Sequence, residues 1–211
     1  GIPREEIFLT TKLWNDDQRS GKVEEAIEAS LKRLGMDYVN LYLVHWPVKE
    51  TYVSVWKKME AVYKSGKAKA IGVSNYQTHH LADLLEEAEI IPAVNQIECY
   101  PYLSQAATIQ YCLERNIRPE AWGPLGAGKS DILTNPVITE IAKKRGLTPA
   151  QVVLGWNLER GVIVIPKSIH KERLTENLKC TDFELTDEDM TRISALNKNL
   201  RLGADPDHFN F

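Results

Sequence analysis

Lys167, Ser168, Arg173, Glu176 and Asn177 form the densest group of chemically useful side chains in the sequence. Arg173, Glu176 and Asn177 are spaced to share about one helical turn. The group follows an apolar β-branched run, Val162 to Ile165, which Pro166 ends and which reads as a buried strand. Cations and hydrogen-bonding side chains at the C-terminal end of a strand suit an anion. A phosphate fits well, because a guanidinium grips it with two parallel hydrogen bonds and an ammonium adds a point charge. A strand followed by a solvated basic tail would carry the same residue types, so the choice rests on the other strands.

Polar side chains recur at the ends of the other apolar runs: Lys12, His45, Ser74 with Asn75, Gln96 with Glu98, and Trp122. Each has a plain structural alternative. His45 could be a core histidine, Ser74-Asn75 ordinary turn chemistry, and Gln96 a satisfied buried amide. Core packing is the default for Trp14, Trp46 and Trp122. Three tryptophans at or just beyond strand ends are better explained by an apolar pocket.

The elements that must position these residues follow from periodicity. Strands are expected at Ile7 to Leu13, Tyr38 to Val44, Ala70 to Asn75, Ala93 to Glu98, Ile117 to Trp122 and Val162 to Ile165. The fifth is weakened by Pro119, which removes a ladder donor. Helices fall between them. Val23, Ile27, Leu31 and Leu34 keep a helical period that Gly35 closes; Val55, Met59 and Val62 mark a second, ending at Gly66. Leu81, Leu84, Leu85 and Ala88 mark a third, and Ile109 to Leu113 lie in a fourth. Asn135-Pro136 and Thr148-Pro149 each place an N-cap before a proline at the first helical position, with Gly146 and Gly161 as stops. Thr186 caps a last helix that turns Met190, Ile193 and Leu196 inward. Six alternations of short apolar strand and helix predict a parallel sheet covered by helices. An open doubly wound sheet and a (β/α)₈ barrel both gather chemistry at the strands' C-terminal ends, but an open sheet uses only the strands beside its switch point. Contributions from all six strands favour the barrel, although a full barrel usually takes about 250 residues.

Composition excludes several classes. A net charge of −3 over 211 residues gives no pull toward nucleic acid or anionic membranes. No apolar run approaches the roughly 20 residues of a membrane span, and GIPREE is not expected to act as a signal peptide. Cys99, Cys112 and Cys180 are odd in number and form no CxxC pair, so a reducing, cytoplasmic setting with free thiols is expected. The His79-His80 pair is expected to bind no metal, because adjacent helical positions do not face each other.

The stretches TTKLW, LYLVHWP, GVSNY, VNQIECYPY, EAWGPLG, IPKSIHKERLTEN and LRLGADPDHFNF occur in this order from one end of the chain to the other. Together they resemble the aldo-keto reductase family, in particular the bacterial and fungal-type reductases of small carbonyl compounds related to 2,5-diketogluconate reductase. The resemblance implies a (β/α)₈ barrel, here a single domain over 1–211, that reduces aldehydes and ketones with NADPH and is a monomer when the barrel is complete. It implies a catalytic lysine at Lys12 and a catalytic histidine at His45. Ser74, Asn75 and Gln96 would hold the nicotinamide carboxamide, and Trp122, where most members have tyrosine, would stack on the ring. Gly123, Leu125 and Gly126 would follow the pyrophosphate. Lys167, Ser168, Arg173, Glu176 and Asn177 would hold the adenosine 2′-phosphate and adenine, which favours NADPH over NADH. Trp14 and Trp46 would line the substrate pocket. The family's tyrosine acid and its aspartate partner lie ahead of the lysine unit, and this sequence begins just after that region with six of eight βα units. Carbonyl reduction slower by about 10³-fold is therefore expected of these 211 residues.

Two readings compete. Gly123 to Ser130, GPLGAGKS, satisfies the P-loop pattern GxxxxGK[ST] literally. A P-loop must open a helix, however, and Asn135-Pro136 follows too soon. The other reading is an NADPH-binding or scaffold protein that keeps the fold without turnover.

Overall fold

The computed structural model describes residues 1–211. The chain forms two compact units, one of Gly1–Asn95, Glu114–Ile117 and Pro206–Phe211, the other of Gln96–Leu113 and Arg118–Asp205.

The first unit contains β1 (Thr10–Leu13), α1 (Asn15–Arg19), α2 (Val23–Leu34), β2 (Val39–Val44), α3 (Ser54–Lys64), β3 (Ala68–Ser74) and α4 (Thr78–Glu87). β1 pairs with β2 and β2 with β3, all parallel, with Lys12 opposite Leu43 and Leu43 opposite Gly72. Side chains alternate along a strand, so this register sorts residues by face. Thr10, Lys12, Leu41, Leu43, Ala70 and Gly72 share one face. Leu13, Tyr42, Val44, Ile71 and Val73 share the other and are all at most 1% exposed. α2 packs on β1 and α3 on β3, so this second face is the helix-covered side. Val23, Ile27, Leu31, Val55, Met59 and Val62, spaced at the helical period, are buried. Gly35, at φ 65°, ends α2 in the left-handed region a glycine adopts without strain. Buried Glu60 ties α3 to the loop after α4 by accepting from the amides of Glu89 and Ile90 at 2.8 and 2.9 Å.

β4 (Val94–Glu98) carries the chain from the first unit into the second. There follow α5 (Ala106–Leu113), β5 (Arg118–Trp122), α6 (Pro136–Arg145), α7 (Pro149–Glu159), β6 (Ile163–Val164), α8 (Lys171–Leu178) and α9 (Asp187–Ser194). β5 pairs parallel with β6. Ile97, Tyr100, Ile109, Ile141, Val152, Trp156 and Ile193 belong to one buried cluster. The expected helix starts are in place. The Asn135 side chain accepts from Val137 N at 2.9 Å, and Thr148 and Gln151 close a reciprocal capping box.

Parallel strands alternating with helices, six times over, are the repeat of a (β/α)₈ barrel. Within each unit, neighbouring strands follow chain order without the reversal of a doubly wound sheet. Two expected strands are shorter than their apolar runs. β1 starts at Thr10; Ile7 and Phe8 are 37% and 72% exposed. β6 pairs through Ile163 and Val164 alone and is not a buried strand. Val162 is buried, but Ile163 and Ile165 are 40% and 44% exposed, because only one side of the run is covered. Pro119 does not disrupt β5. No helix is long and apolar enough to cross a membrane.

Candidate active site

In the first unit the parallel register brings the ends of β1, β2 and β3 to one edge. Lys12 lies on the face that also carries Gly72, and the alternation extends that face to Ser74 and to His45, just past β2. His45 is anchored through its backbone: its amide donates to Leu13 O at 3.1 Å, and its carbonyl accepts from Asn75 Nδ2 at 3.0 Å. Asn75 also donates to Ser74 Oγ at 3.2 Å. Its φ of 64° is a left-handed conformation that asparagine tolerates better than most residues, and it turns the chain sharply after β3. Burial, reinforced by the Lys12 charge, pushes the His45 imidazole down to about 4. The ring is therefore neutral at physiological pH, with one N–H to donate and one lone pair.

Aromatic rings surround His45. Trp14 meets it edge-on with centroids 5.0 Å apart, and Trp46 lies 6.4 Å away. Phe211 stacks on Trp14 at 6.0 Å, and Phe209 and Phe211 each approach Trp46 to 5.2 Å. Sequence reasoning placed Trp14 and Trp46 here and missed both phenylalanines, which no local spacing connects to β1 or β2.

Neither Tyr42 nor Tyr76 offers an activated acid at this edge. Tyr42 sits on the helix-covered face, away from the face that carries Lys12, with its hydroxyl buried and unpartnered, and burial raises its phenol well above the usual value. Tyr76 is buried, donates to Tyr52 O at 3.1 Å, and is also raised by burial.

In the second unit, Gln96 Nε2 donates to Glu120 Oε1, which joins β4 to β5. The Glu98 carboxylate, 2% exposed, accepts from the amides of Leu202 and Gly203 at 2.7 and 3.0 Å. Gly203 packs against Trp122 so tightly that a Cβ there would lie 2.6 Å from the indole ring. Glu98 thus helps fix the backbone on which Trp122 leans, a role that its place on β4 does not reveal. After Trp122 the chain turns through Gly123, Gly126 and Gly128, all at positive φ, with Gly126 N donating to Gly123 O at 2.9 Å. This overturns the P-loop reading. The glycines lead only to short 3₁₀ turns at Gly126–Gly128 and Ile132–Thr134, and the next α-helix starts at Pro136 behind its own cap. No helix N-terminus is available there to cradle phosphates.

Lys167, Ser168, Arg173, Glu176 and Asn177 come together with Leu125 around one cavity of about 320 Å³, which Pro149 and Ala150 also line. Lys167 and Ser168 come from the stretch after β6, the other three polar residues from α8. Ser168 Oγ accepts from His170 N at 3.1 Å, and Thr148 Oγ1 donates to Glu176 at 2.6 Å. Asn177 is buried. Two cations, a hydroxyl, a buried amide and apolar walls in one cavity fit a phosphorylated nucleoside.

His79 and His80 face a common partner, contrary to the expectation for adjacent helical positions. The His79 and His80 rings lie 4.0 Å apart, and both reach the same oxygen of Asp207. Both sit in the first turn of α4, where His80 folds back to accept from Gln77 N at 3.1 Å. That bond places the neutral ring's proton on Nε2, the nitrogen facing Asp207. A metal there would need the opposite tautomer.

The aldo/keto reductase family model matches residues 2–198. A glyoxal reductase of Bacillus subtilis is 50% identical over 211 residues, which is all of this chain and 76% of the relative. An aldo-keto reductase from a Medee basin deep-sea metagenome superposes with a TM-score of 0.94 at 44% identity, covering 100% of this chain and 78% of that one. Another aldo-keto reductase, crystallised with NADPH, matches at a TM-score of 0.89 and 38% identity over 95% of this chain and 67% of its own. Strand-end lysine and histidine, parallel β/α repeats and likeness over the whole chain agree, and the protein belongs to the aldo/keto reductase family.

Proposed function

We propose that the protein binds NADPH and reduces small aldehydes and ketones, with 1,2-dicarbonyls such as glyoxal in the accepted class, and that its 211 residues act as one reductase domain. The observation that carries this reading is the cavity of about 320 Å³ where Lys167, Ser168, Arg173 and Asn177 meet. Lys167 and Arg173 would neutralise a 2′-phosphate, while Glu176 and Asn177 would contact the adenosine. Gly123, Leu125 and Gly126 would follow the pyrophosphate. Ser74, Asn75 and Gln96 would hold the carboxamide, and Trp122 would support the nicotinamide face. When bound, the cofactor supplies the hydride.

The chain's own groups handle the carbonyl. Trp14 and Trp46 exclude water around it. Neutral His45 donates a hydrogen bond to the carbonyl oxygen, and Lys12 holds positive charge at the same edge, where negative charge grows during reduction. The oxygen must also gain a proton. The buried, raised phenols of Tyr42 and Tyr76 are unsuited to give it. A well-placed acid contributes about 10²–10⁴-fold, so slow turnover by this polypeptide belongs to the reading.

Fluorescence titration with NADPH, followed by NADPH oxidation with glyoxal as acceptor, tests both parts. Binding with slow, His45-dependent oxidation supports the reading. Binding with no oxidation at any glyoxal concentration favours the dinucleotide-binding scaffold instead, a reading that the unsuited tyrosines keep open. Absence of NADPH binding ends both.

A further inference from the structure

The segment Pro206–Phe211 is fastened to the rest of the first unit by contacts that the carbonyl-reduction reading leaves unexplained. Three side chains converge on the Asp207 carboxylate. His79 Nε2 lies 3.0 Å and His80 Nε2 3.3 Å from Oδ1, while Gln77 Nε2 donates to Oδ2 at 3.4 Å. His80 is only 6% exposed, and its tautomer is fixed by Gln77 N, so its N–H faces the carboxylate. Beyond this clamp come Phe209 and Phe211, which pack on Trp46 and Trp14. The segment is tied again at Phe211, whose carbonyl accepts from Asn15 Nδ2 at 2.9 Å and Arg19 Nη2 at 2.8 Å. A cavity of about 390 Å³ lies against the clamp, so the strap has open space to move into when its polar contacts are removed.

We propose that Asp207 is a positioning residue for the carbonyl end of the site: gripped by His79 and His80, it sets where Phe209 and Phe211 stand against Trp46 and Trp14, and so sets the aromatic wall beside His45. The proposal rests on reading Trp14, Trp46 and His45 as the carbonyl end of the site. Asp207 touches no reacting atom. Its removal should change how well a carbonyl compound is held and leave the chemical step alone.

The test compares Asp207→Ala, Asp207→Asn and His79→Ala with the unaltered protein. Hydrogen bonds to a charged group are the strong ones, and losing one commonly weakens an equilibrium by about tenfold or more. Asp207→Ala should speed chymotryptic cleavage after Phe209 by about tenfold and raise KM for benzaldehyde similarly. It should leave kcat within about twofold and NADPH affinity unchanged. Asp207→Asn keeps an oxygen acceptor but loses the charge, and should fall between the unaltered protein and Asp207→Ala. His79→Ala should lie between, and should add nothing in the Asp207→Ala background. Unchanged cleavage and unchanged KM in Asp207→Ala overturn the proposal. So does a joint fall in kcat and NADPH affinity that Asp207→Asn fails to rescue, since that pattern marks general destabilisation. If the unaltered protein oxidises no NADPH with any carbonyl, the proposed function has failed, and the cleavage rates still decide the clamp.

Discussion

Replacing Arg173 by alanine should separate NADPH from NADH. Arg173 and Lys167 line the same cavity, and both are solvent-exposed. A phosphate monoester carries about −1.5 to −2 charges at neutral pH. One unit pair at about 4 Å is worth about 1 kcal/mol at the dielectric of water and about 4 at an effective value of 20. Exposure places Arg173 near the lower limit, so the near-doubled phosphate charge gives a loss of about 2 kcal/mol. At about 1.4 kcal/mol per decade, NADPH should bind roughly 30-fold more weakly. NADH has no 2′-phosphate and should change by no more than about twofold. Arg173→Lys keeps the charge but not the planar fork, and should fall between. Salt supplies an independent check. The screening length shrinks from about 8 Å at physiological ionic strength to about 3 Å at 1 M. The NADPH preference of the unaltered protein should therefore narrow with salt while that of Arg173→Ala barely moves. Tryptophan fluorescence titration with each cofactor at two salt concentrations measures all of this. Equal losses for NADPH and NADH, or a preference indifferent to salt, would refute the assignment of the phosphate to this cavity.

Three further outcomes are expected. Gly72→Ala should destabilise the fold by about 1–3 kcal/mol in urea denaturation, because its Cβ would sit 2.6 Å from the Val94 carbonyl and 2.8 Å from Leu43; an unchanged midpoint would contradict the tight packing on that face. Stability should fall as pH drops from about 6.5 toward 4. Burial lowers both His45 and His80 from 6.5 to about 4, so in that window the unfolded chain binds protons that the folded chain does not, and the loss levels off below the folded values. His80→Gln should flatten part of that slope, and an equal slope in the variant would be inconsistent with this account. The three cysteines are all buried, and burial pushes Cys99 up to about 11. A thiol reagent at neutral pH should therefore react only as the protein unfolds, and rapid labelling of the native protein would show otherwise.

The fold was legible wherever one local rule settled an element. Gly35 closes α2, and Asn135, Thr148 and Thr186 cap their helices through side-chain bonds that sequence spacing alone predicts. Strand lengths were less legible. Apolar β-branched residues announce a strand, but only a neighbour on the ladder decides where it stops. Hence the Ile7 to Leu13 and Val162 to Ile165 runs overshoot, and their outer residues stay exposed. α1 escaped notice because five residues, Asn15–Arg19, are too few to show a period.

The candidate site divides along the same physical line. Lys12, His45 and Ser74 could be grouped because a parallel β/α repeat puts every strand's C-terminal end at one edge, so position in the repeat is enough. Glu98 and Asp207 could not. Each carboxylate does its work on partners more than a hundred residues away, Glu98 on Leu202 and Gly203, Asp207 on Gln77, His79 and His80. The helical rule that adjacent side chains diverge failed for His79 and His80 because the first turn has free amides, and the His80 ring bends back to satisfy one. The same bond that defeats the rule also sets the tautomer. It makes His80 a donor to Asp207, and that turns two adjacent histidines into a clamp.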